Sequence, residues 1–109
     1  MAYGNFKSLA AANFQLPSSV GTIYTAPIGK KAEIGTIIYH NTNTSAETIR
    51  LYARGTTTAH RRDCVVLQAN ATYEFSPKLP LVLNGGETLS GETTTASKVN
   101  VEAIGREEI

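Results

Sequence analysis

The chain has 109 residues and a mass of 11.7 kDa, the size of a single domain. Ten Lys and Arg against nine Asp and Glu leave a formal charge of +1. That balance excludes the dense basic surface that binding to a phosphate backbone needs, and no polybasic stretch marks a membrane surface. No apolar run approaches the ~20 residues of a membrane span, and residues 1–16 carry Lys7 without the continuous apolar core of a secretory signal. Neither nucleic acid nor membrane is therefore expected as a partner. The single Cys64 excludes an internal disulfide and a cysteine-built zinc site, and His40 and His60 lack metal-ligand spacing, so no metal or cofactor is expected.

Threonine occurs 14 times, and Trp is missing. Thr, Val, Ile and Tyr favour strands, which points to an all-β domain. Taken in chain order, the first β-like run is Gly21 to Ala26, stopped by Pro27 and the turn Ile28-Gly29-Lys30. The second is Ala32 to His40, closed by the loop Asn41 to Ser45. The third, Glu47 to Arg54, alternates: Ile49, Leu51 and Ala53 face inward, and Thr48, Arg50, Tyr52 and Arg54 face outward.

Residues 55–63 are polar and read as a long loop or hairpin tip, after which the chain re-enters the core at Cys64 to Leu67. Thr72 to Phe75 forms a short run. Ser76 to Pro80 cannot be a central strand, because proline lacks the ladder N–H. Leu81 to Leu83, the turn Asn84-Gly85-Gly86 and the run Glu87 to Thr93 follow. A last alternating strand spans Lys98 to Ile104, with Val99, Val101 and Ala103 on its inner face.

The connections are too short for crossover helices, so the strands pair antiparallel. About eight of them build a two-sheet β-sandwich, jelly-roll or immunoglobulin-like, over residues 21–109. Residues 1–20 are expected to form an N-terminal arm or edge segment. The spacing of Phe6, Leu9, Ala10 and Phe14 also permits a loose helical turn, but Gly4 and Pro17 flank it closely, and the extended arm is preferred.

No catalytic constellation stands out, and the chain is not expected to be an enzyme. Cys64 and His60 are close in sequence, but Cys64 opens an apolar run and reads as a small buried hydrophobe. Glu74, Glu87, Glu92 and Glu102 lie on different strands with no paired spacing. Asn84-Gly85-Gly86 lacks the context of a phosphate loop and reads as a hairpin turn. Arg61 and Arg62, with Arg50 and Arg54 on the outward face of the third strand, form the main local concentration of positive charge. With Tyr52 on the same face, they suit a protein interface.

The segments Thr22-Ile23-Tyr24-Thr25-Ala26-Pro27-Ile28-Gly29-Lys30, Thr48-Ile49-Arg50-Leu51-Tyr52, Leu81 to Ser90 and Val99 to Ile109 occur here in an order that resembles the small virion structural proteins of tailed bacteriophages. That group includes head decoration (cement) proteins and tail-associated proteins. The resemblance spans nearly the whole chain and brings no catalytic residues. It implies a β-sandwich that binds a repetitive particle surface, commonly as a symmetric oligomer.

The expected function is therefore a capsid decoration protein of the virion, made in the host cytoplasm. Its expected partner is the major capsid protein or another virion protein, and its expected assembly a homotrimer. The expected partner-binding residues are Tyr3, Phe6, Lys7 and Phe14 in the arm, and Arg54, His60, Arg61 and Arg62 in and beside the 55–63 loop. A tail, neck or fibre-attachment component is the alternative within the class. A small carbohydrate-binding module, prompted by the outward Tyr52, is the alternative outside it.

Overall fold

The computed structural model describes residues 2–109. Among them nine strands form: β1 (Lys7–Ser8), β2 (Gly21–Thr25), β3 (Ala32–Asn41), β4 (Glu47–Ala53), β5 (Arg61–Leu67), β6 (Thr72–Phe75), β7 (Leu81–Leu83), β8 (Thr88–Thr93) and β9 (Val99–Glu107). The only helical element among the described residues is a 3-10 turn at Thr58–His60. No helix there is long and apolar enough to cross a membrane.

Every ladder is antiparallel, and the pairings are nested. β4 pairs β5, β3 pairs β6 and β7, β2 pairs β8, and β1 pairs β9. The chain is thus one long antiparallel ribbon bent double. The ribbon then rolls so that β9 joins β3 and β8 joins β4. The result is two sheets, β1-β9-β3-β6/β7 (sheet 1) and β2-β8-β4-β5 (sheet 2). This nested and rolled order is that of a jelly roll, which settles the choice that hydrophobic alternation alone leaves open.

Alternation explains the core. Ile34, Ile37 and Tyr39 of β3, Ile49 and Leu51 of β4, Leu83 of β7, Leu89 of β8 and Val99 of β9 are fully buried between the sheets. Each such aliphatic side chain contributes about 1.5–3 kcal/mol by leaving water. Polar side chains are buried with them, Asn41 and Glu47 the largest of those fully enclosed. The Asn41 amide donates to the carbonyls of Ser45, Leu67 and Gln68, and Glu47 ties the start of β4 to the 94–98 turn.

The N-terminal segment runs antiparallel along β9 rather than forming a helix. Gly4 N–H donates to Glu107, Leu9 to Ala103 and Leu16 to Val99, while Phe14 accepts from Val101. Leu16 and Ala10 are buried, and Leu9 and Phe14 pack on the core. The segment thereby covers what would otherwise be the bare edge of β9.

Three expectations need correction. β5 begins at Arg61, so Arg61, Arg62 and Asp63 lie in a strand and only 54–60 is loop. Cys64 points outward and is exposed, because Asp63 and Val65 take the inward positions of β5. β9 extends to Glu107, three residues past the expected end, held on one side by β3.

Candidate interaction surfaces

The expected contact residues fall on two opposite flanks. Tyr3, Phe6 and Lys7 lie on the β1 flank, where β1 is the outermost strand of sheet 1. Arg61 and Arg62 lie on β5, the edge strand of sheet 2 that runs beside β6. Phe14 sits near the other end of the arm, half-buried against the core. The fold does not bring the two groups together.

On the first flank the organising residue is Arg106 of β9. Its guanidinium carbon lies 4.9 Å from the centroid of the Tyr3 ring and 5.0 Å from that of Phe6, and its Nε donates to Glu33 Oε1 at 2.9 Å. The arm is held by this stack on the outer face of sheet 1, while Phe6 keeps 59% of its surface in solvent. Lys7 reaches Glu107 at 3.1 Å, and the Tyr24 hydroxyl of β2 donates to the same carboxylate. Those two partners hold the Glu107 carboxyl below its ordinary range, the tyrosine hydrogen bond first, against the upward effect of burial.

On the second flank Tyr52 is the surprise. It faces outward, as its alternation requires, yet keeps only 3% of its surface exposed. Its hydroxyl donates to Glu92 Oε2 at 2.7 Å, and the Arg61 guanidinium lies over its ring at 5.6 Å. The alternation is read correctly in sequence, but the cover comes from β5 and β8, which no local pattern encodes. With its ring covered, Tyr52 offers no sugar-stacking platform.

Arg54, at the end of β4, adopts a positive φ of 74° and pairs with Glu87 at 3.2 Å. His60 packs its ring against Gly55, where a Cβ would approach within 2.5 Å. Arg62 is exposed at the β4–β5 bulge.

Groupings that sequence spacing does not show become visible through cross-strand register. Glu74 of β6 and Glu102 of β9 both lie directly opposite Ile38 of β3, forming one row across the outer face of sheet 1. Arg50 lies between Cys64 and Glu92 in the corresponding row of sheet 2. Outward alternation of Glu102 is legible from the last strand alone, but its neighbours are not.

No family model matches the sequence, and no curated protein matches it. Among solved structures, Bacillus endospore appendages, described as disulfide-linked pili, align with a TM-score of 0.54 at 16% identity, covering 99% of this chain and 93% of that one. The T13 IBDV viral particle aligns with a TM-score of 0.53 at 13% identity, covering 96% of this chain. This chain spans only 31% of that viral chain. A pentameric capsid protein isolated from metagenomic phage sequences aligns at 0.35, too loosely to bear weight. The first two likenesses establish a shared β-sandwich fold and nothing further.

Proposed function

We propose that the chain is a non-enzymatic structural protein of a tailed-phage virion, a capsid decoration protein that binds and stabilises the assembled head as a homotrimer. The observation that carries this reading is a jelly roll matched over nearly its whole length by a pilus subunit and by part of a viral particle chain. The order of segments resembling phage virion proteins supports it, and those segments form β2 with its turn, β4, β7–β8 and β9. Both flanks offer contact surface: Tyr3, Phe6 and Lys7 on one, Arg61 and Arg62 on the other. A repetitive shell multiplies weak contacts, so a small footprint per copy suffices.

The test is co-sedimentation of the purified protein with emptied heads, and separately with tails, of the phage that carries its gene. Binding to heads, weakened by Phe6→Ala and by Arg61→Ala/Arg62→Ala, is the expected result. Binding to tails alone moves the assignment to a tail or neck component, and binding to neither overturns the reading. Phe6→Ala is a better probe than deleting the arm, because deletion also strips the cover from β9.

A further inference from the structure

The two outer faces of the sandwich carry opposite charge. On the outer face of sheet 1 stand Glu33, Glu74, Glu102 and Arg106, three carboxylates to one guanidinium. On the outer face of sheet 2 and its β5 edge stand Arg50, Arg61, Arg62 and Glu92, the inverse ratio. Internal pairing leaves the imbalance in place. Glu33 is neutralised by Arg106 at 2.9 Å, which leaves Glu74 and Glu102 either side of Ile38. Glu92 accepts from the neutral Tyr52 hydroxyl and keeps its charge opposite Arg50, while Arg61 stacks on the Tyr52 ring without losing its own, which leaves Arg61 and the exposed Arg62 as the excess.

Each charged row also borders apolar surface. Ile38 and Ile104 are half-buried on the acidic face, and Val66 keeps 60% of its surface exposed on the basic one. β5 adds an unpaired edge beside that residue.

From this complementarity we infer that copies of the chain stack face to back, the acidic outer face of sheet 1 against the basic outer face of sheet 2 of the next copy. The occupant of each face is a second copy. The two faces lie on opposite sides of one sandwich, so the contact is heterologous: each copy uses one face to receive and the other to offer. Such a contact closes into a ring, a trimer among them, or propagates as a filament, depending on the rotation between neighbours. An isologous dimer through either face is disfavoured by the same argument, because it would place like charges together. This inference rests on the self-assembly part of the proposed function and is independent of particle binding.

The test is light-scattering mass over a dilution series of the purified chain at low and high salt, with no particle present. The wild type is expected to associate, and to dissociate as salt rises. Glu74→Arg/Glu102→Arg makes both faces basic, and Arg50→Glu/Arg62→Glu makes both acidic. Each variant alone is expected to associate at least tenfold more weakly, while an equimolar mixture of the two regains association. If Arg50→Glu melts early through repulsion with Glu92, Arg62→Glu alone replaces the pair, and thermal melts of every variant confirm folding.

A wild type that stays monomeric throughout overturns the inference, as does a mixture that stays monomeric while the wild type assembles. So does either variant assembling as well as the wild type. Because heads and tails are absent, each of those results leaves the virion assignment to its own sedimentation test.

Discussion

Glu47, fully buried at the start of β4, accepts a hydrogen bond from Thr93 Oγ1 at 2.9 Å across the β4–β8 side of sheet 2. The same carboxylate accepts from the Thr95 backbone N–H at 2.7 Å and from Asn43 Nδ2 at 3.0 Å. One side chain thus fastens both the loop before β4 and the turn after β8. Burial raises its pKa, but the three donors outweigh burial and hold it below the ordinary carboxylate value.

Glu47→Ala leaves three donors without their charged acceptor and is expected to cost about 3 kcal/mol, a large fraction of a small domain's stability. The sign with pH follows from the depressed pKa. The contribution is fully present above the unfolded-state value and is lost as pH falls through the folded one. Thermal melts from neutral pH to acid should therefore show the gap between wild type and Glu47→Gln narrowing toward low pH. A constant gap would mean the charge is not what matters.

Asp63 should behave in the opposite way. It faces inward from β5, its Oδ2 is buried without a hydrogen-bond partner, and burial pushes its carboxyl upward against the restraining Cys64 N–H. The Tyr39 hydroxyl, also buried without a well-formed hydrogen bond, faces the same carboxyl and partly restrains it, while its own pKa is driven up by burial and then by the Asp63 charge. A carboxyl with a raised folded-state pKa favours the fold when protonated, and that advantage is lost as pH rises through the folded pKa. Asp63→Asn is accordingly expected to raise stability at neutral pH by about 1 kcal/mol and to change little in acid. A lower melting temperature at neutral pH would show that the charged form is paired after all.

Gly105 is where β1, β9 and the bulged part of β3 come closest. A Cβ there would sit 2.2 Å from the Glu33 carbonyl oxygen and 2.8 Å from Leu9 Cδ1. Backbone cannot yield as a side-chain tip can, so Gly105→Ala is expected to cost about 3 kcal/mol. Gly29→Ala, at a φ of 80° with open space around it, carries only conformational strain of about 1 kcal/mol. Denaturant midpoints of the two variants measure the difference, and equal losses would mean the strands separate to admit the methyl.

Cys64 is exposed, so a thiol reagent should label the native protein without unfolding it. Cys64→Ser is expected to change stability by less than about 0.5 kcal/mol, as surface substitutions do. Mass spectrometry after native alkylation is the check; labelling that requires denaturant would place the sulfur inside.

The sequence determined the fold class, most strand positions and the inward residues of β4 and β9. Those properties follow from a period of two, from prolines and from turn residues, all of which act over a few neighbouring positions. Cys64 shows the limit of that logic. An apolar run told its strand correctly but not its face, because the face follows from register with β4: Cys64 lies opposite the outward Arg50, and Asp63 and Val65 lie opposite the inward Leu51 and Ile49. Tyr52 shows another: its outward direction is local, while Arg61 and Glu92 reach it only through strand pairing. The jelly-roll order, the arm along β9 and the opposed charges of the two faces were decided by tertiary structure alone. Glu74, Ile38 and Glu102 are far apart in the chain, and only the rolling of the ribbon sets them in one row.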